Sequence, residues 1–63
     1  MSAFISISKS GEFQVDVYDV IANFPASGRG LKAFFRRWAV REVQCSSSVT
    51  NEHSRTLAKA LAY

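Results

Sequence analysis

Ala3-Phe4-Ile5-Ser6-Ile7-Ser8-Lys9-Ser10-Gly11-Glu12-Phe13-Gln14-Val15-Asp16-Val17 is the stretch on which the fold of this chain turns. Ala3, Ile5 and Ile7 alternate with Phe4, Ser6 and Ser8. After the polar break at residues 9–12, Phe13, Val15, Val17, Asp19 and Ile21 alternate with Gln14, Asp16, Tyr18 and Val20. A period of two with β-branched residues marks half-buried strands, because successive side chains point to opposite faces. Two such runs around a short Ser/Gly turn predict a β-hairpin. Parity selects the loop. A two-residue Ser10-Gly11 loop sets Ile5 opposite Asp16 and Ile7 opposite Gln14, mixing apolar with polar on one face. A three-residue loop at 10–12 sets Ile7 opposite Val15 and Ile5 opposite Val17, and a one-residue slip flips every side chain, so the odd length is expected. The inner face is then Ile5, Ile7, Val15 and Val17, with Phe13 near the turn. The outer face is Ser6, Ser8, Gln14 and Asp16, with Phe4 and Tyr18 paired at one end and Val20 beside them.

Downstream of the hairpin, Asn23-Phe24-Pro25-Ala26-Ser27-Gly28-Arg29-Gly30 breaks the alternation, with Ser27 as a candidate cap for the next element. Leu31, Phe34, Phe35 and Trp38 then recur at i, i+3, i+4 and i+7, the apolar stripe of an amphipathic helix. Past Ala39 the pattern divides. On a continued helix Glu42 falls on the apolar stripe, while Val40 and Val43 fall on the basic side. Helix propensity favours continuation to about Gln44, and a short third strand at 40–45 is the alternative. Cys45-Ser46-Ser47-Ser48 reads as a polar linker. Thr50 or Asn51 is the candidate N-cap of a last, alanine-rich helix with Leu57, Ala58, Leu61 and Ala62 as a light stripe. The resulting fold class is α+β: an N-terminal hairpin packed against an amphipathic helix, with a second short C-terminal helix, all in one small domain over residues 1–63.

The size of the chain bounds its chemistry. A domain of 63 residues buries only ~60% of its unfolded surface. Most enzymes need a rigid scaffold around a pocket of several hundred Å³, so the expectation is a non-enzyme. Eight Lys and Arg against five Asp and Glu give a net charge of +3, too mild for wholesale coating of nucleic acid but compatible with a local basic patch. The single cysteine, Cys45, cannot staple the fold internally. Cys45 and His53 fall short of the four soft or imidazole ligands of a structural zinc site, so neither metal nor cofactor is expected. With a thin core and no staple, a homo-oligomer or an obligate partner is expected. The N-terminus alternates instead of offering the apolar run of a signal peptide, and no run reaches membrane-spanning length. A cytoplasmic site, in a cell or an infected host, with no membrane partner, is therefore the default. The chain opens on Met1 and is expected to be a complete small reading frame, of the size that phages and mobile elements use for regulators.

Function is expected to sit in residues 29–41, which hold five of the eight basic residues and three of the eight aromatics. Arg29, Lys32, Arg36, Arg37 and Arg41 spread over the side opposite the apolar stripe. Such a face grips phosphates or an acidic patch on another protein, and the planar fork of Arg suits both. The competing explanation is an ordinary solvated helix face whose Arg stems cover apolar surface. Phe4 and Tyr18 on the outer hairpin face are candidate anchors for a partner. The expected function is a small binding protein that modulates or inhibits a larger intracellular protein by surface contact; the alternative is a DNA- or RNA-binding regulator using the basic helix. Three other constellations are set aside. Gly28-Arg29-Gly30 lacks a dinucleotide or P-loop pattern. Cys45, Glu52 and His53 lie across a soft linker with no identifiable oxyanion donors. Asp16 and Asp19 point to opposite faces of a strand.

Overall fold

The computed structural model describes all 63 residues. It is an α+β fold with the order β1 (Ser2–Ile7), β2 (Phe13–Val17), β3 (Val20–Phe24), α1 (Leu31–Arg37), β4 (Glu42–Cys45) and α2 (Asn51–Leu61). The strands form one mixed sheet in the order β3-β2-β1-β4, with β1–β2 and β2–β3 antiparallel and β1–β4 parallel. The β3–α1–β4 segment therefore carries the chain from one edge of the sheet to the other. Both helices cover one sheet face. Ala3, Ile5, Phe13, Val15 and Val17 from the sheet join Leu31, Phe35, Val40, Leu57 and Ala60 in a single core.

The hairpin has the expected parity but a different register. Ile5 pairs with Val15 and Ile7 with Phe13, so the loop is residues 9–11 and not 10–12. The Ser8 N–H donates to the Glu12 carbonyl and the Gly11 N–H to the Ser8 carbonyl, with Gly11 at φ 85°. A turn followed by a left-handed glycine is the common three-residue hairpin loop, which a loop ending on Glu12 would forfeit. The inner face is unchanged by the shift, because the slip is an even number of residues. Phe4, however, lies opposite Asp16 and not Tyr18.

The second alternating run is two strands. Beyond Val17 the six-residue β1 offers almost no further partner, and the chain reverses through Tyr18-Asp19 to pair Val20 with Val17. Tyr18 is at φ 54°. A positive φ at the first loop residue is the place of glycine in the tight hairpin turns, so a bulky tyrosine there is strained. The reversal moves Val20 to the helix-covered side and Ile21 to the open face, the opposite of their expected sides.

The first helix stops at Arg37, not near Gln44, and the alternative strand is the one that forms, at Glu42–Cys45. The stop is a Schellman motif. The Val40 N–H donates to the Phe35 carbonyl and the Ala39 N–H to the Arg36 carbonyl, with Ala39 left-handed at φ 52°. The accompanying hydrophobic contact is in place, since Val40 and Phe35 are both fully buried. Ending the helix there sends Val40 into the core and frees residues 42–45 to satisfy the second edge of β1.

The helix starts on Gly30, in a left-handed conformation and with no side-chain cap, so Ser27 is not the cap. Two successive turns lead in, closed by the Gly28 N–H on the Pro25 carbonyl and the Leu31 N–H on the Gly28 carbonyl. Gly28 has φ +81°, and a Cβ there would collide with Thr56 Cγ2 on α2. The glycine thus lets the loop lie directly on the second helix. For α2 the cap is Thr50. Its hydroxyl accepts from the His53 N–H, while His53 Nδ1 accepts from the Thr50 N–H, a reciprocal capping box with histidine in place of the usual Glu or Gln. Residues 46–48 are a knot more than a linker. The Ser46 N–H continues the ladder onto the Ile5 carbonyl, and Ser48 Oγ accepts from the Ile7 N–H. At the opposite end of the sheet the Arg41 N–H bonds the Met1 carbonyl, and the Tyr63 hydroxyl donates to the Val40 carbonyl at 3.0 Å.

Candidate functional site

Arg29, Lys32, Arg36 and Arg37 are all exposed, on α1 and the loop before it. Their exposure results from the packing of the stripe. Leu31 and Phe35 are fully buried, Phe34 and Trp38 half-buried, and the remaining helix positions turn to water. Phe34 is the hub of the half-buried side: Phe24 meets it edge-on at 5.2 Å and Trp38 lies 6.2 Å away. Arg36 and Arg37 occupy the last turn, where a positive charge also favours the helix dipole. Arg41 is exposed too, but its guanidinium lies 5.0 Å from the centre of the Tyr63 ring, a cation–π contact that orders it.

The fold adds two cations that the linear cluster left out. Arg55 and Lys59 are exposed one turn apart on α2, which packs beside α1. Seven of the eight basic residues therefore lie in the helical layer and its connections, against the single acid Glu52. The sheet and its turns hold Lys9 against Glu12, Asp16, Asp19 and Glu42. The cations are concentrated on the helices and their connections, and the acids on the strands and their turns. Linear proximity reveals the cluster on α1 and alternation sets Asp16 on the outer face, but nothing in the sequence separates the other acids from the cations.

Phe4 and Tyr18 are not brought together with the arginines. Phe4 is 46% exposed on the open face of the sheet, in a row with Gln44, Asp16 and Ile21. Tyr18 is 76% exposed at the tip of the β2–β3 turn. The C-terminal helix does not cover either of them, because Leu57 and Ala60 are committed to the core on the other face. Ile21, 60% exposed, belongs with this second surface, whereas Val20, 37% exposed, lies on the helix side of the same edge strand. Alternation alone assigns Val20 to the outer face and Ile21 to the inner one, the reverse of what is found, because it runs on unbroken from β2 into β3.

The remaining chemistry-bearing residues are dispersed. Cys45 is exposed on β4. His53 caps α2 and stacks edge-on against Phe13 at 5.3 Å. Asp16 faces the open side of the sheet and Asp19 lies in the turn, marking the end of β2. Gly28 and Gly30 are explained by close packing on Thr56 and Phe24. No group of three or more His, Cys, Asp or Glu side chains converges on one point, and no pocket opens on the surface. No helix is long and apolar enough to cross a membrane. What this arrangement presents is a group of exposed cations on and beside the two helices. No protein-family model, no curated protein and no solved structure matches this chain.

Proposed function

We propose that this chain is a non-enzymatic binding protein that modulates or inhibits a larger intracellular protein by laying its basic helical layer against an acidic patch. The observation that carries the reading is the segregation of charge: seven cations on the helices and their connections against one acid, with four acids on the sheet and its turns. A two-sided field of this kind orients the molecule as it approaches an acidic partner and raises the rate of productive encounter. The residues proposed to make the contact are Arg29, Lys32, Arg36, Arg37 and Arg41, with Arg55 and Lys59 extending it.

The second reading is direct binding of DNA or RNA through phosphates, which the same guanidinium forks support. The geometry of α1 ranks it second. The helix has only seven residues and packs beside α2, which leaves a short face to enter a groove and read bases.

Affinity capture with the wild-type chain, with and without nuclease, followed by direct titration of the captured partner, tests both. A protein partner that survives nuclease is expected, and the Arg36→Ala/Arg37→Ala variant should bind it roughly 10- to 100-fold more weakly. Loss of capture on nuclease treatment, with affinity falling steeply from low to physiological salt, supports the second reading. Undiminished binding by the double variant removes both.

A further inference from the structure

The outer edge of β3 is the least protected part of the molecule. Natural sheets defend an edge with charge, proline or a bulge. Val20–Phe24 reads Val-Ile-Ala-Asn-Phe and carries none of these within its five residues, whereas β4, at the other edge, is shorter and carries Glu42. The antiparallel ladder alternates. With Val20 opposite Val17 across a two-residue turn, Val20, Ala22 and Phe24 bond to β2, and the N–H and C=O groups of Ile21 and Asn23 point out along the open edge.

We infer that this edge pairs with β3 of a second copy, antiparallel and centred on Ala22, to make a two-fold dimer with one continuous eight-stranded sheet. The backbone sets the register. Placing Ile21 opposite Asn23 of the second copy satisfies all four outward groups on each strand. A shift toward Pro25 meets a residue with no N–H, and a shift the other way leaves the strand for the Tyr18-Asp19 turn. Two further observations select this occupant. The exposed aliphatic residues of the edge lie on opposite faces, Val20 on the helix side and Ile21 on the open side. A partner resting on one face covers one of them, whereas a strand added at the edge flanks both. Charge agrees. Two copies meeting through their helical layers bring like charges together, while the five residues of β3 carry no charge.

Analytical ultracentrifugation of the full chain tests the inference, together with hydrogen exchange at several concentrations. The wild-type chain is expected to sediment at twice its 7.0 kDa mass. The Ile21 and Asn23 amides should gain protection as concentration rises. Ile21→Lys, at an exposed position, and Asn23→Pro, which removes an outward N–H and spares the β2 ladder, should each weaken self-association by about tenfold or more. Circular dichroism separates this effect from unfolding, and Arg36→Ala/Arg37→Ala should leave the dimer intact, so the result is independent of the basic layer. A monomer at all concentrations overturns the inference. So does a dimer that both edge variants leave undiminished, or one in which the Ile21 and Asn23 amides exchange as freely as in the monomer.

Discussion

Ala39 stands where most helices of this ending place glycine. Its left-handed backbone lets the Val40 and Ala39 N–H groups close the last turn of α1, and an L-residue is held there at a cost of about 1–2 kcal/mol. Ala39 is exposed, so its methyl group contributes little to the core. Ala39→Gly is therefore expected to stabilise the chain by about 0.5–1 kcal/mol after the added freedom of the unfolded state is deducted. Thermal unfolding checks it, with a rise of roughly 4–8 °C per kcal/mol for a domain of this size. Tyr18 is the same backbone situation at a hairpin tip. Neither turn is legible in the sequence, because the residues that normally announce a positive φ are absent from both. At residues 9–11, where Gly11 is present, the turn is legible and only its placement differs by one residue.

At the level of elements, α2 depends on its first turn. Thr50 and His53 satisfy each other's backbone N–H groups, and the helix has little bulk beyond Leu57 to hold it otherwise. Thr50→Ala should cost about 1 kcal/mol in denaturant unfolding, and His53→Gln, which retains an acceptor at that position, should cost less than His53→Ala. The cap is visible in the sequence as a threonine ahead of an alanine-rich stripe. The strand β4 is visible as well, but only as a contradiction. Val40 and Val43 fall off the helical stripe and Glu42 falls on it, a mismatch that helix propensity masks. The free edge of β1 decides the matter, and a free edge is a tertiary fact.

For the molecule as a whole, ten buried residues carry the core, and Phe35 is among the largest of them. Phe35→Ala should cost about 3–5 kcal/mol. Total stabilities of small domains amount to only a few kcal/mol, so the variant is expected to be largely unfolded at 25 °C, read as loss of the cooperative transition in near-ultraviolet circular dichroism. The packing of the α1 stripe on the Ile5, Val15 and Val17 face can be foreseen from periodicity alone. The candidate surface is half foreseeable. Five cations cluster in the sequence and alternation sets Phe4 on the outer hairpin face away from them, but Arg55 and Lys59 join them only through the packing of α2 beside α1, and no local pattern encodes that.

The pole at which Met1, Val40, Arg41 and Tyr63 meet has a topological consequence. Because the Met1 carbonyl and the Tyr63 hydroxyl both bond the Val40-Arg41 segment, residues 1 and 63 are tied to one pole of the fold, and a glycine-rich link between them is expected to close the backbone into a circle without disturbing a strand or a helix. The circle would have a natural point of re-opening at the Lys9-Ser10-Gly11 bend, where no neighbouring atom crowds Gly11, so the order in which the elements are synthesised is separable from the shape they form.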